Sequence, residues 1–354
     1  MSLYDNELYL ADVARVARAA LPWEKLSGSS VLLSGATGLL GSFLADVLMH
    51  KNAEGLGCTV YALGRSAERA ARRFSKWRGD EHLVFLPYDV NGPLAWDAPD
   101  SVDYVLHLAS NTHPVQYATD PIGTIFTNII GLRNLLDFAA EHRARRFAFA
   151  SSNEIYGENR GDVELFDEGY CGYIDCNTLR AGYPESKRCG EALCRAYQAQ
   201  KGLDVVIPRF TRSYGPTMLP TDTKAVSQFI KKGVQGEDIV LKSAGTQNYS
   251  YTYMADAIYG LLTAVLCGTG GEAYNIADEG SNITLGELAR IIADHVGRQV
   301  VFERPEAVEA AGYSKATKAL LDGQKLKKLG WKPFYTIREG IPRTIDILRT
   351  SGKA

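Results

Sequence analysis

The chain has 354 residues, of which 45% are hydrophobic and 23% are charged, and its formal net charge is −2. This composition is that of a globular protein, and the length favours one large domain with a smaller companion. The near-neutral charge argues against a nucleic-acid partner, and the lack of a long apolar run argues against a membrane span.

The first 29 residues precede the first predicted strand. Leu10, Val13 and Val16 recur at helical spacing before Pro22, which predicts a short helix docked on the domain. Early acidic residues without a basic stretch are not those of a signal peptide, so we expect a cytoplasmic protein. The six cysteines lack the spacing of a metal site, which favours reduced thiols and no bound metal.

A glycine-rich turn joins the first predicted strand, residues 31–34, to a helix. Three glycines at this point let backbone N–H groups approach a pyrophosphate at the helix N-terminus, so the segment predicts a dinucleotide site. The turn residues expected to contact the cofactor are Gly35, Thr37, Gly38, Leu39, Leu40 and Gly41.

The second predicted strand, residues 59–63, is followed by Gly64 and Arg65. Folds specific for NAD usually carry a carboxylate here for the ribose 2′-hydroxyl, whereas an arginine suits the 2′-phosphate of NADP. NADP is therefore slightly favoured, and NAD stays open. A third strand, residues 84–90, brings Asp89 near the adenine.

Strands four and five are predicted at residues 103–110 and 146–151. His107 lies inside the apolar run of strand four, so we interpret it as a core histidine rather than a catalyst. Ligands of doubly wound sheets bind outside the carboxyl ends of strands. Ser152 and Glu154, directly after strand five, are therefore placed for chemistry.

Tyr183 and Lys187 are four residues apart on the next predicted helix, so they share one face of it. The ammonium group favours the phenolate, and we expect it to lower the pKa of Tyr183 toward the working pH. The tyrosine would then take a proton from a sugar or alcohol hydroxyl, or return one to a carbonyl.

Strands and helices alternate over residues 31–210, which predicts an α/β fold with a doubly wound parallel (Rossmann) sheet. The looser pattern that follows predicts a smaller mixed α/β lobe that binds substrate. We expect a helical extension at 1–29, the dinucleotide-binding domain at 30–210 and the interwoven C-terminal lobe at 211–354.

With these motifs the chain resembles the extended short-chain dehydrogenase/reductase family, in particular its NAD-dependent nucleotide-sugar epimerases and dehydratases. Residues 168–188 are most similar to the UDP-glucuronate decarboxylases of that family. The matching features span nearly the whole chain after residue 30: the three glycines, HLAS at 107–110, Asn128, SSNEIYG at 151–157, Tyr183 with Lys187, Arg209, YGP at 214–216, YNI at 274–276 and LGW at 329–331.

The resemblance implies roles for individual residues. Ser152, Glu154, Tyr183 and Lys187 would act together, oxidising a nucleotide sugar at C4 to a 4-keto intermediate. Further cofactor contacts would come from Asp89, Val90, Leu108, Ala109, Ser110, Asn128, Ser151 and Arg209. Substrate contacts would come from Asn153, Arg180, Arg212, Thr217 and Tyr249.

Four positions depart from the family pattern. Asn153 replaces the aspartate that donates a proton in 4,6-dehydratases, which makes water loss less favoured. Arg212 replaces an asparagine near the substrate diphosphate, whereas Thr217 and Tyr249 replace arginines. Two cationic positions are lost and one is gained, so we expect a rearranged diphosphate or sugar site.

A decarboxylase acting on UDP-glucuronate is the main functional hypothesis. A 4-epimerase or a 4,6-dehydratase would use the same fold and the same first step, whereas a 4-ketosugar reductase of this fold would instead consume reduced cofactor. A reductase of a non-nucleotide carbonyl and a non-catalytic dinucleotide sensor are more remote. The intact Ser152, Tyr183 and Lys187 argue against the sensor.

A homodimer is expected by analogy with the family, whose members pair through helices near residues 121–142 and 180–200. An apolar stripe on the first of these helices fits such a contact, although it would fit burial against the sheet equally well. Its members are Ile125, Ile129, Leu132 and Leu136.

Overall fold

The computed structural model of the protein describes residues 2–94, 96–112, 114–303 and 316–352. In chain order its strands are β1 (Ser30–Ser34), β2 (Thr59–Leu63), β3 (Leu83–Leu86), β4 (Tyr104–His107), β5 (Arg146–Phe149), β6 (Ser151–Ser152), β7 (Val205–Phe210), β8 (Arg212–Tyr214), β9 (Ile239–Leu241), β10 (Asn248–Tyr253), β11 (Ala273–Ile276), β12 (Asn282–Thr284), β13 (Val300–Phe302) and β14 (Lys318–Ala319). Its helices are α1 (Glu7–Ala17), α2 (Leu39–Ala53), α3 (Ala67–Arg73), α4 (Pro114–Thr119), α5 (Pro121–Phe126), α6 (Leu132–Glu141), α7 (Gly182–Lys201), α8 (Ala225–Gln235), α9 (Met254–Cys267), α10 (Leu285–Val296), α11 (Gln324–Lys327) and α12 (Ile337–Thr350).

The central sheet is parallel and has the spatial order β3-β2-β1-β4-β5-β7-β11 in the described part of the chain. Both faces of the sheet are covered, because Leu32 of β1 packs in one apolar cluster and Leu33 in the other. This explains why β1 is a continuous apolar run rather than an alternating one. The predicted doubly wound α/β fold is confirmed, and its strand order reverses between β1 and β4.

The C-terminal part of the chain contributes to both halves of the molecule. Strand β11 pairs in parallel with β7 and so completes the central sheet. The remaining strands build a mixed sheet in which β10 pairs with β8, β12 and β14. The part of the chain after residue 210 therefore supplies strands both to the central sheet and to the mixed sheet. Among the described residues, no helix combines the length and apolar character needed to cross a bilayer.

The helix expected near residues 121–142 is interrupted. Helix α5 ends at Phe126, a π-helical turn covers Thr127–Gly131, and α6 follows. A π turn holds more residues than an α turn and changes the phase of the helix. The expected stripe is corrected accordingly: Leu132 and Leu136 are fully buried, and Ile125 and Ile129 are partly covered. The exposed apolar stripe is Ile122, Phe126 and Ile130, which are 66%, 52% and 38% exposed.

Helix α1 packs against α2, α9 and α12, and so joins the two halves of the molecule. Its Asp12 is fully buried. The carboxylate accepts hydrogen bonds from the hydroxyls of Tyr253 and Tyr335, both at 2.7 Å, and from Nε of Arg343 at 2.8 Å. These donors all come from the C-terminal lobe, so one carboxylate ties that lobe to the N-terminal segment.

Replacing Asp12 by alanine leaves a guanidinium and two hydroxyls without their acceptor. We expect the free energy of unfolding to fall by about 3 kcal/mol, as for a buried ion pair that loses one partner. Denaturant unfolding measures this change. The exposed Glu7 of the same helix is the control, and a Glu7→Ala effect as large as that of Asp12→Ala would contradict the assignment.

Candidate active site

A cleft of about 680 Å³ opens beside the carboxyl ends of β1, β2, β4 and β5. Ligands of doubly wound sheets bind at this edge. The predicted site residues on its wall are Gly35, Thr37, Gly38, Leu39, Leu40, Gly41, Arg65, Asp89, Val90, Leu108, Ala109, Ser110, Ser151, Ser152, Asn153, Glu154, Arg180, Tyr183, Lys187, Arg212 and Tyr249.

The glycine-rich turn passes so close to neighbouring backbone that it excludes side chains. Gly35 has φ +70°, and a Cβ atom there would lie 2.8 Å from the backbone nitrogen of Ala109. A Cβ on Gly41 would lie 2.4 Å from the carbonyl oxygen of Gly35. Helix α2 begins directly after Gly38, and its N-terminus opens on the cleft. This cradle fits the pyrophosphate of a dinucleotide, which binds helix N-termini.

Tyr183 lies on the cleft wall and is 5% exposed. Its ring stacks on that of Tyr117, with centroids 4.7 Å apart and planes inclined by 25°. Burial raises the pKa of the Tyr183 phenol to about 12, although hydrogen bonding to Ser152 lowers it. The tyrosine is thus a protonated hydroxyl between an aromatic ring and a serine.

Lys187 lies on the same face of α7 but is directed to the strand beneath it. Its Nζ donates to the carbonyl of Ala150 at 2.8 Å and lies 6.0 Å from the ring centre of Tyr183. Burial lowers the pKa of Lys187 to about 7. The expected fall in the pKa of Tyr183 is therefore wrong, because burial disfavours the charged forms of both groups.

Glu154 lies between two arginines from different segments. Its Oε2 accepts a hydrogen bond from Nη2 of Arg180 at 2.8 Å, and its Oε1 lies 3.7 Å from Nη2 of Arg212. Asn153, next to it, is buried on the cleft wall and carries no carboxylic proton. Both carboxylate oxygens of Glu154 face guanidinium groups, so Glu154 is placed to hold the two arginines in position.

Three of the predicted contacts lie behind the wall, and these are corrections. Asn128 accepts from the Ser110 hydroxyl at 2.8 Å and donates to that of Ser186 at 2.9 Å. Arg209 is buried in an ion pair with Glu191 at 2.6 Å. The hydroxyl of Thr217 donates to the carbonyl of Leu39 at 2.7 Å. Each holds a wall segment in place, because its polar groups are satisfied by protein.

The interpretation of His107 as a core histidine is confirmed. It is 1% exposed and its Nδ1 lies 2.7 Å from the hydroxyl of Ser34. Burial lowers the pKa of the imidazole to about 3.

Comparison with known proteins agrees with this geometry. The sequence model described as the NAD dependent epimerase/dehydratase family matches residues 31–277. The chain belongs to this family. It is 32% identical to UDP-glucuronic acid decarboxylase 1 of Xenopus tropicalis over 90% of this chain and 72% of that protein. It is 31% identical to UDP-glucuronic acid decarboxylase 5 of Arabidopsis thaliana over 89% of this chain and 88% of that protein.

Solved structures show the same fold. DesIV, a dTDP-glucose 4,6-dehydratase from Streptomyces venezuelae with NAD and TYD bound, has a TM-score of 0.77 at 24% identity, covering 91% of this chain and 97% of that one. The UDP-glucuronic acid 4-epimerase from Bacillus cereus has a TM-score of 0.76 at 21% identity, covering 91% and 99%. The protein is thus an NAD-dependent enzyme of the extended short-chain dehydrogenase/reductase type.

Several wall residues of this enzyme were missed in the sequence analysis. Tyr117 lies far from Tyr183 in sequence, in the six-residue helix α4, where no periodicity marks it. Ser66 and Arg69 begin α3 and line the cleft beside Arg65. Arg69 had a detectable signal, because a second arginine one helical turn after the strand end strengthens an anion site.

The low pKa of Lys187 predicts that the free energy of unfolding depends on pH. Between a folded-state pKa of about 7 and the ordinary value of 10.5, the unfolded chain binds a proton that the folded protein does not. The free energy of unfolding therefore rises with pH between pH 7 and 10.5. Below pH 7 it is at its lowest, because the folded protein then buries a protonated amine. Lys187→Met abolishes the titration, so we expect the variant to exceed the wild type in melting temperature by a larger margin at pH 6 than at pH 9.

Thermal unfolding of the nucleotide-free proteins at the two pH values measures these margins. Lys201→Met, at the exposed end of the same helix, is the matched control and is expected to show no such pH dependence. Equal margins for Lys187→Met at pH 6 and pH 9 would count against a buried, neutral amine.

Proposed function

We propose that this enzyme oxidises a nucleotide-linked uronic acid at C4 and decarboxylates it, with UDP-glucuronate as the expected substrate. The observation that carries the proposal is Tyr183, buried on the cleft wall beside Ser152 and across from the glycine cradle. Relatives with about 30% identity over most of the chain are UDP-glucuronic acid decarboxylases, which supports this substrate.

In this proposal, Tyr183 and Ser152 carry out the proton transfer at the C4 oxygen. Tyr183 in its phenolate form takes the proton of the C4 hydroxyl, and Ser152 hydrogen-bonds the same oxygen. The resting phenol is protonated, so the proposal requires the positive charges of Lys187 and of the oxidised cofactor to lower its pKa in the complex. A bound nicotinamide would supply the acceptor for the C4 hydride, and Lys187 would hold the cofactor ribose, as the family resemblance implies.

Loss of CO2 follows from the ketone at C4. The C5 carboxylate is then β to a carbonyl, so the electrons of the breaking C5–C6 bond pass into an enolate. A proton taken up from solvent adds to C5 and restores the ketone, and Tyr183 gives its proton back to the C4 oxygen as hydride returns. There is no net oxidation, and Glu154 positions the arginines beside the reacting sugar.

Water loss is the less favoured branch, because Asn153 stands where a 4,6-dehydratase carries an acid. Epimerisation differs only in the face to which hydride returns. Both remain outcomes of the experiment below.

The cofactor proposal is that NADP is accepted and slightly preferred to NAD. Arg65 and Arg69 both line the cleft beyond β2, with Ser66 between them. Gly64, directly after this strand, lacks the carboxylate that an NAD-specific site uses for the ribose 2′-hydroxyl. Two cations suit a 2′-phosphate.

Mass spectrometry of UDP-glucuronate incubated with the enzyme and either NAD or NADP tests both proposals. We expect a product lighter by one CO2, formed with at least equal efficiency with NADP. Tyr183→Phe removes the proton acceptor, and turnover at saturating substrate should fall about 100-fold or more. Tyr197→Phe, on the same helix but bonded to Asp137, is the control.

Three results would contradict the proposal. An isomer of unchanged mass would assign a 4-epimerase, and a product lighter by water would assign a dehydratase. Full turnover by Tyr183→Phe would remove Tyr183 from the mechanism.

We also propose a homodimer that pairs through the exposed stripe of Ile122, Phe126 and Ile130. These side chains follow one another at intervals of four residues, and their exposure supports a contact with a second copy.

Phe126→Asp puts a charge in the centre of this stripe. We expect it to shift the protein from dimer to monomer in size-exclusion chromatography with light scattering, because a buried unpaired charge is costly. Phe302→Asp changes an equally aromatic, 68% exposed residue elsewhere and should leave the dimer intact. A dimeric Phe126→Asp protein would argue against this face.

A further inference from the structure

Each arginine beside Glu154 is stacked on an aromatic ring. The guanidinium carbon of Arg212 lies 3.4 Å from the ring centre of Tyr249, and that of Arg180 lies 4.6 Å from the ring centre of Tyr117. The Tyr249 hydroxyl donates to the carbonyl of Ala316 at 2.8 Å, which fixes its ring. Stacking holds the guanidinium planes and leaves their edges to bind partners.

Some of these edge donors are unused. Nε and Nη1 of Arg180 and Nη1 of Arg212 are buried and have no hydrogen-bond partner among the residues that the structure describes. A buried donor without an acceptor is unfavourable, so such donors indicate a missing ligand. With two guanidinium groups and one carboxylate the cluster carries a net positive charge. It therefore suits an anion, and guanidinium groups match carboxylates in particular.

Two departures from the family pattern meet at this cluster. Arg212 stands where the resembling enzymes have an asparagine, and Tyr249 stands where they have an arginine. Since Arg212 stacks directly on Tyr249, the two changes form one structural unit. Compared with the resembling enzymes, the positive charge lies at position 212 instead of position 249. The side chain at position 249 is the tyrosine ring on which Arg212 stacks.

We propose that Arg180 and Arg212 bind the carboxylate of the sugar, and that Arg212, supported by Tyr249, determines the preference for a sugar acid over a neutral sugar. The proposal rests on the proposed function, since it takes a nucleotide-linked uronic acid as substrate. Tyr117 stacks on Tyr183 and also contacts the guanidinium of Arg180. A carboxylate held by Arg180 would therefore lie in the same part of the cleft as the group that deprotonates C4.

The alternative anion is the diphosphate of the nucleotide. Isothermal titration of NAD-loaded enzyme with UDP-glucuronate, UDP-glucose and UDP separates the two, because only the first carries the carboxylate. Tyr183→Phe is included in every protein so that no turnover occurs. We expect Arg212→Asn to weaken UDP-glucuronate binding about 10- to 100-fold, the range for hydrogen bonds to charged groups. Binding of UDP-glucose and UDP should change by less than about twofold.

Arg212→Asn combined with Tyr249→Arg restores the family arrangement and the total charge. We expect this double variant to bind UDP-glucuronate and UDP-glucose with similar affinity, because the guanidinium group no longer lies at position 212 beside the sugar. Arg160→Asn is the matched control, since Arg160 also stacks on a tyrosine, Tyr170, and pairs with Asp162 at 2.9 Å, but lies outside the cleft. It should leave all three affinities unchanged. If the Arg212→Asn protein does not fold, Arg212→Lys replaces it. Lysine keeps the positive charge but lacks the paired N–H donors of the guanidinium group.

An equal loss of affinity for all three ligands would assign Arg212 to the diphosphate and overturn the proposal. Equal binding of UDP-glucuronate and UDP-glucose by the parent protein would also overturn it. Failure of all three ligands to bind the parent would instead overturn the proposed function, so the two failures are distinguishable.

Discussion

The close approach of two backbone segments is the constraint on which the site depends. The turn after β1 lies against the end of β4, so near that even the Cβ of an alanine at Gly35 would collide with Ala109. This approach is possible because parallel β1 and β4 are neighbours in the sheet and leave it in opposite directions. The space between the departing chains becomes the cleft, and the N-terminus of α2 faces it without competition from side chains.

Burial decides the chemistry of the groups around this cleft. Burial raises the pKa of Tyr183 to about 12 and lowers that of Lys187 to about 7, so at pH 7 the phenol is neutral and the amine is about half protonated. Glu154 is held by charge instead, since two arginines face its oxygens. The cleft wall therefore combines a neutral phenol with a group of paired charges.

Much of the fold was predictable because it depends on local patterns. The second strand was predicted at its observed bounds, and the glycine turn and the Tyr183 helix follow from spacing alone. The interruption at Thr127–Gly131 was not, because apolar residues recur at three- and four-residue intervals on both sides of it, so the sequence does not mark where the phase changes. Strand β10 was also missed, although polar residues and tyrosines alternate strictly through Asn248–Tyr253, which is the pattern of a strand.

The site was predictable where a residue faces the cleft and less so where it meets a distant partner. Arg209 carries a family motif, yet its ion pair with Glu191 on α7 turns it away from any ligand. Tyr117 acts only through Tyr183 and Arg180, which are more than sixty residues away. No spacing rule reports such contacts, because they arise from packing between elements.

The way in which the chain closes on itself affects how it is made. Strand β11, which completes the central sheet, ends at residue 276, and Arg343, which binds the carboxylate of α1, comes still later. A ribosome releases the N-terminal segments first. The cofactor-binding half therefore waits, with an open edge at β7, until most of the polypeptide has been synthesised. A truncated chain that ends near residue 210 would keep the edge of β7 unpaired, and unpaired sheet edges favour aggregation.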